Sequence, residues 1–155
     1  MLWFVGQVFP KVLARVPDAH LIITGEHDNL PLPPVSNVTL VGHVSDINML
    51  IASSWVSLAP VLSGGGTRLK ILEAMAIGTP VVSTSKGAEG LDAIAGEHLL
   101  VADTPHEFAE DVVKILRSKD LRDQVATKAH QFVKEKYDWD AVMPRFLQLV
   151  ERIVT

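Results

Sequence analysis

Ser63-Gly64-Gly65-Gly66-Thr67-Arg68-Leu69-Lys70-Ile71-Leu72-Glu73-Ala74-Met75-Ala76-Ile77-Gly78-Thr79-Pro80-Val81-Val82 reads as a glycine loop opening a helix, then a turn, then a buried strand. The strand-like run Trp55 to Pro60 leads into it. A helix N-terminus carries unpaired N–H groups and a partial positive charge. Consecutive glycines let a ligand approach the backbone, because no Cβ intervenes. Together they suit phosphate or another anion. The helix is apolar at Leu69, Ile71, Leu72, Ala74, Met75, Ala76 and Ile77, and so is buried on more than one side. Glu73 is its only acid. With Thr67 as N-cap, Glu73 falls in the second turn and leans back toward the glycine loop. There it either accepts hydrogen bonds from ligand hydroxyls or pairs with Lys70 or Arg68.

Working outward, 155 residues make one domain with room for a core. A net charge of −4 argues against a nucleic-acid partner. The chain has no cysteine, which excludes a disulfide frame, a thiolate nucleophile and a zinc–cysteine site. No apolar run approaches the roughly 20 residues of a membrane span, and Met1 leads into an amphipathic segment without a basic leader. The expectation is a soluble, intracellular domain.

Before the glycine loop, Leu2 to Val16 has helical spacing, with Pro10 expected to kink or divide it. Ala19 to Thr24 and Val38 to Val41 are short apolar strands closed by Gly25 and Gly42. Glu26-His27-Asp28-Asn29 and the prolines at 31, 33 and 34 form a loop between them. Asp46 to Ser53 is a short helix. After the loop and its helix, Pro80 to Ser83 and Glu97 to Ala102 are strands. The segment between them, Ser85 to Ile94, is a loop with room for one helical turn.

The tail is helical. Thr104-Pro105-His106-Glu107 joins a capping box to a proline at the first helical position. Phe108, Val112, Val113, Ile115 and Leu116 form that helix's apolar face, and Leu121, Val125, Ala129, Phe132 and Val133 that of the next. Asp138 caps a third helix, with Val142, Phe146, Leu149, Val150 and Ile153 expected inward. Short apolar strands alternating with helices predict an α/β fold: a Rossmann-like, doubly wound parallel sheet of about five strands with the C-terminal helices packed on it. Ligands of such a sheet sit at the carboxyl ends of its strands. Those ends lie at Gly25 to Asn29, Gly42 to Asp46, Ser63 to Thr67 and Ser83 to Leu91.

Other chemistries lack support. No Gly-Lys-Ser/Thr follows the glycines at P-loop spacing, and the third glycine of a dinucleotide fingerprint would fall at Leu69. The histidines at 20, 27, 43, 98, 106 and 130 are scattered, with no second histidine at i+4, so no metal site is expected. Of these, His43 sits in a strand-end loop. Neither Ser63 nor Ser83 stands in a nucleophile elbow. Lys86-Gly87-Ala88-Glu89-Gly90 is either a connector or a lid.

The middle of the chain resembles the nucleotide-binding half of a GT-B glycosyltransferase, specifically the C-terminal domain of the retaining group 1 enzymes (family GT4). The residues that carry this are Val41-Gly42-His43-Val44-Ser45-Asp46, Ala59-Pro60, Gly64 to Met75, Gly78 to Val82 and Gly87-Ala88-Glu89-Gly90-Leu91, with Tyr137-Asp138-Trp139 near the end. The resemblance implies that Glu73 binds the ribose hydroxyls of a nucleotide-sugar. It implies a diphosphate held by the amides of Thr67, Arg68, Leu69 and Lys70 beside Gly64, Gly65 and Gly66, with Val44 and Asp46 against the base. Lys70 and Arg68 either offset the diphosphate charge or are solvated helix residues. The implied reaction is hexosyl transfer from a nucleotide-diphosphate sugar, with retention, to a glycan or lipid-linked acceptor. It uses no metal and no cofactor beyond the donor. The location implied is cytoplasmic, or peripheral at the inner membrane face.

Two departures qualify this. Where the family commonly has a second acid, eight residues before the glutamate, stands Gly65. The resembling fold also has a strand before its first helix, and an N-terminal acceptor-binding domain. Residues 1–155 are therefore expected to be a single donor-binding domain that lacks both, holds no catalytic residue and is inactive alone. Exposed sheet edges are expected to favour self-association. The alternative is a non-catalytic nucleotide- or anion-binding module acting through a partner chain.

Overall fold

The computed structural model describes residues 1–26, 31–33, 35 and 37–154, with the backbone alone at 145, 153 and 154. His27, Asp28, Asn29 and Pro34 of the expected loop lie outside them. The strands are β1 (Leu21–Thr24), β2 (Val38–Val41), β3 (Ser57–Ala59), β4 (Val81–Ser83) and β5 (Leu100–Val101). All pair in parallel, which confirms the α/β, Rossmann-like class. The pairing is not continuous. One sheet is β1-β2 and the other β3-β4-β5.

The two faces of the three-stranded sheet follow from its alternating side chains. In β4, Val82 points into one core with Leu100, Phe108, Val112 and Ile115, while Val81 points into another with Ala59, Ile71, Met75, Ala129 and Phe132. Both faces are covered, so the strand carries no polar alternation. The first face is closed by a π-helical turn, Phe4–Val8, running into α1 (Phe9–Leu13), and by α5 (Pro105–Arg117). The second is closed by α3 (Leu69–Ile77) and α6 (Lys119–Lys136). Phe4 and Trp3 meet Phe108 edge-on, each with centroids 5.6 Å apart.

Pro10 divides the first helix as expected. It stands in the first turn of α1, where its missing N–H is no loss. The misfit is taken up by the wide turn before it, where Phe9 N–H donates to Phe4 O five residues back. α3 ends at Gly78, left-handed at φ 85°. Gly78 N donates to Met75 O and Thr79 N to Ala74 O, a Schellman closure that only glycine enters without strain. Thr104 Oγ1 accepts from Glu107 N at 3.3 Å and donates to the Glu107 carboxylate at 2.7 Å. The expected box thus closes through the hydroxyl.

The last helix corrects an expectation. α7 (Trp139–Val154) begins at Asp138, whose carboxylate accepts from Asp140 N. Its apolar face, however, is not buried. Val142, Phe146, Leu149 and Val150 are 36%, 54%, 58% and 40% exposed, and the side chain of Ile153 lies outside the described residues. The 3.6-residue period does specify an apolar stripe. The stripe overshoots the core, because α7 leaves the sheet and packs mainly on the end of α6.

One glycine is fixed by close approach. A Cβ on Gly87 would stand 2.3 Å from Ser83 Oγ and 2.7 Å from Ala59 O, and the latter is backbone. Gly87→Ala is therefore expected to destabilise the chain by roughly 1–3 kcal/mol through overpacking. Urea unfolding measures this, and an unchanged midpoint would refute the packing argument.

Candidate functional site

The site grows from the carboxyl ends of β3 and β4. Ser83 Oγ donates to Ala59 O at 3.3 Å and to Thr84 O at 2.9 Å. Thr84 Oγ1 donates to Val61 O and accepts from Gly87 N, which caps the single turn α4 (Ser85–Ala88). Asp103, just beyond β5, accepts from both the amide and the hydroxyl of Ser85. These small hydroxyls tie three strand ends together under the glycine loop. The sequence signal for them is the run Ser83-Thr84-Ser85, of which only Ser83 is weighed above, and only as a nucleophile.

The glycine loop lies open above this base. Gly64 and Gly66 are left-handed at φ 107° and 102°, and a Cβ at 64, 65 or 66 would meet nothing within 4 Å. Gly65 is not left-handed, so its backbone would accept a side chain without strain. The N-cap of α3 is Arg68, one residue later than expected, and no side chain caps it. The amides of Thr67, Arg68, Leu69 and Lys70 donate to no protein acceptor among the described residues. They are the orphan donors of a helix start.

Arg68 does something the sequence did not disclose. Its guanidinium donates to Lys86 O at 2.7 Å, Glu89 O at 3.3 Å and Gly65 O at 3.5 Å, and meets the Glu89 carboxylate at 3.3 Å. Its side chain is only 10% exposed. Arg68 thus clamps the 86–90 segment against the glycine loop, and that segment is a held connector. A planar fork of five donors reaches several carbonyls at once, which an ammonium cannot do. The Glu89 carboxyl is held below its ordinary pKa, first by the Lys86 hydrogen bond and charge and then by Arg68. Its part in the clamp is therefore present at neutral pH and lost only as pH falls through that lowered value.

With Arg68 engaged elsewhere, Glu73 pairs with neither proposed cation. No hydrogen bond or ion pair joins the side chain of Glu73 or of Lys70 to any of the described residues. Both are exposed. Both line one cavity of about 340 Å³, together with Pro60, β1 and part of β3. Asp46 caps α2 (Ile47–Ser53), accepting from Met49 N at 3.0 Å, and Val44 is half-buried in the loop before it. α2 packs on α3, and Thr79 Oγ1 fastens the two by donating to Ile51 O at 2.9 Å. So Val44 and Asp46 belong to the element beside α3, while Asp46 already has a structural duty. His43 is exposed in the same loop. Among the described residues, no group of three or more His, Asp or Glu is placed to hold a metal, and no helix is long and apolar enough to cross a membrane.

Replacing Arg68 with Ala is expected to release the 86–90 segment. Charge-assisted bonds of this kind contribute roughly 1.5–3 kcal/mol, so amide exchange at Ala88 and Leu91 should accelerate about tenfold or more. Arg68→Lys should not restore it. Unchanged exchange in Arg68→Ala would remove the clamp from the account.

Known proteins share this fold. A sequence profile described as glycosyl transferases group 1 matches residues 1–118. The phosphatidyl-myo-inositol mannosyltransferase of Mycobacterium leprae is 30% identical over 158 aligned positions, covering 96% of this chain and 42% of that protein. The chain thus spans less than half the length of this relative. Among solved structures, Anabaena HepE in complex with UDP-glucose superimposes with a TM-score of 0.76 at 17% identity, covering 96% of this chain and 46% of that one. The C-terminal domain of a group 1 glycosyl transferase, LpcC of Francisella tularensis, gives 0.71 at 19% identity, covering 86% of this chain and 79% of that one. The structural likenesses show the fold, and the profile spans most of the sequence. The chain belongs to the group 1 glycosyl transferases.

Proposed function

We propose that residues 1–155 form the donor-nucleotide-binding domain of a retaining glycosyltransferase, working with an acceptor-binding domain outside these residues. The observation that carries this reading is the start of α3. Four unengaged amides, Thr67 to Lys70, sit under an open glycine loop, and the unpaired carboxylate of Glu73 stands just over one turn further on. A diphosphate is matched by the amides and the helix dipole. A ribose is matched by a carboxylate, which accepts hydrogen bonds from adjacent hydroxyls. Val44 and the free oxygen of Asp46 would lie against the base. Lys70, likewise unpaired, would offset diphosphate charge, whereas Arg68 contributes its amide and keeps its side chain in the clamp.

The amide cradle supplies the positive field that a metal would otherwise supply, so the proposed donor binding needs none. The donor is a nucleotide-diphosphate hexose, and UDP is the first candidate because HepE binds UDP-glucose. The acceptor, a glycan or a lipid-linked sugar, and any catalytic group belong to the partner side of the cleft. The domain then works in the cytoplasm, with contact to the inner membrane face made by residues outside it.

Calorimetric titration with UDP, GDP and ADP tests the reading. One diphosphate is expected to bind, and Glu73→Ala to weaken it by about 1.5–3 kcal/mol, the loss of a charge-assisted hydrogen bond. Glu73→Gln should recover little, since an amide offers one acceptor where a carboxylate offers two. Equal affinity in wild type and Glu73→Ala would overturn the assignment of Glu73. A folded chain that binds none of the three would overturn the reading for residues 1–155 alone.

A further inference from the structure

β3 and β4 are neighbouring parallel strands, so the chain leaves both at the same end of the sheet. The segments that follow, 60–68 and 84–90, therefore stand side by side at that end. Arg68 joins them. Its guanidinium meets Gly65 O at 3.5 Å on the glycine loop and the Glu89 carboxylate at 3.3 Å on the other segment. The carboxylate thus lies one arginine side chain away from the Arg68 amide, which belongs to the unengaged helix start.

The two oxygens of that carboxylate are used unequally. Oε2 accepts from both Arg68 and Lys86. Oε1 accepts from no protein group among the described residues, and the side chain is 56% exposed. Two cations on one oxygen lower the pKa of the group, so it is charged at neutral pH. The clamp itself does not require an acid here. Three of the four bonds that Arg68 makes go to backbone carbonyls, those of Gly65, Lys86 and Glu89. Glu89 is therefore a charged acceptor with one unspent oxygen, fixed beside the glycine loop. Like charge keeps it from the phosphates of a bound nucleotide. The group one bond beyond the diphosphate is the sugar, which offers hydroxyl donors that a carboxylate accepts strongly.

We propose that Glu89 is a specificity-determining residue of the donor site, its Oε1 accepting hydrogen bonds from adjacent hydroxyls of the hexose carried on the diphosphate. The class of donor it selects is a sugar with free neighbouring hydroxyls on the side turned toward residues 86–90. Two acids then divide the donor between them, Glu73 taking the ribose and Glu89 the hexose. Arg68 is the positioning residue for the second, since its guanidinium holds both Glu89 O and Oε2. The assignment rests on the nucleotide reading above.

Calorimetry with UDP and with UDP-glucose tests it, or with GDP and GDP-mannose or ADP and ADP-glucose where one of those bases binds. The quantity read is the ratio of the affinity for the sugar nucleotide to that for the bare diphosphate. Any effect on the diphosphate alone cancels in it. Glu89→Ala is expected to lower this ratio about tenfold or more, the loss of a charge-assisted hydrogen bond. Glu89→Gln keeps an oxygen for Arg68 and Lys86 but loses the charge, and should lower it several-fold. Amide exchange at Ala88 and Leu91 should stay at the wild-type rate in both variants, because the backbone bonds of Arg68 remain. A lowered ratio with faster exchange in both variants would make Glu89 a structural part of the clamp and overturn the proposal. Binding of the diphosphate with a ratio unchanged in both variants would overturn it while leaving the nucleotide reading in place. A folded chain that binds none of the three diphosphates would overturn the two together.

Discussion

A strand buried under helices on both faces has to find hydrogen-bond partners along both edges, because neither water nor side chains reach it there. β4 meets this condition, lying between β3 and β5. Among the described residues β1 and β3 meet it on one side each, and they face one another across the cavity that Lys70 and Glu73 also line. The rest of the molecule is arranged around this half-met requirement. The π-helical turn, α1 and α5 line one face of that cavity, and α2 the other. The packing layers of a doubly wound sheet are therefore in place, while the sheet's hydrogen bonding is split in two.

The candidate site sits on the better-satisfied half. Ser83, Thr84 and Asp103 lock the strand ends with short side chains, and Gly87 comes so close to Ala59 O that no Cβ fits. On that fixed base Arg68 draws together two segments, the glycine loop and residues 86–90. This is a division of labour between neighbours on one helix start. Arg68 is spent on protein carbonyls, while the Lys70 and Glu73 side chains and the amides from Thr67 to Lys70 have no protein partner among the described residues. An unengaged carboxylate next to unengaged amides is an arrangement whose donors and acceptor a polyhydroxylated anion can match.

α7 shows the limit of reading periodicity. Its apolar stripe is as regular as that of α5, yet Phe146 and Leu149 are more than half exposed while Phe108 and Ile115 are fully buried. Period tells which residues share a face. It carries no information about whether the chain's path brings that face to a core.

Local chemistry determined a good deal by itself. The apolar runs at Val38 to Val41 and Val81 to Ser83, the capping signals at Thr104 and Asp138 and the closure of α3 at Gly78 all act within a few residues. The fold class and the helix start after the glycine loop were legible for that reason. So was Glu73, since one acid on an apolar helix stands out in any arrangement. What the tertiary structure alone decided depends on residues far apart in the chain. The engagement of Arg68 needs Lys86 and Glu89 brought across from the next turn of the fold. That neither Lys70 nor Arg68 pairs with Glu73 is likewise set by the tertiary placement of those side chains. The burial of α5 and exposure of α7 depend on where the chain turns. The cavity exists because β1 and β3, separated by 32 residues from Thr24 to Ser57, come to face each other. Hydrogen bonds between strand edges are set by three-dimensional neighbours, and no local pattern encodes which neighbour is there.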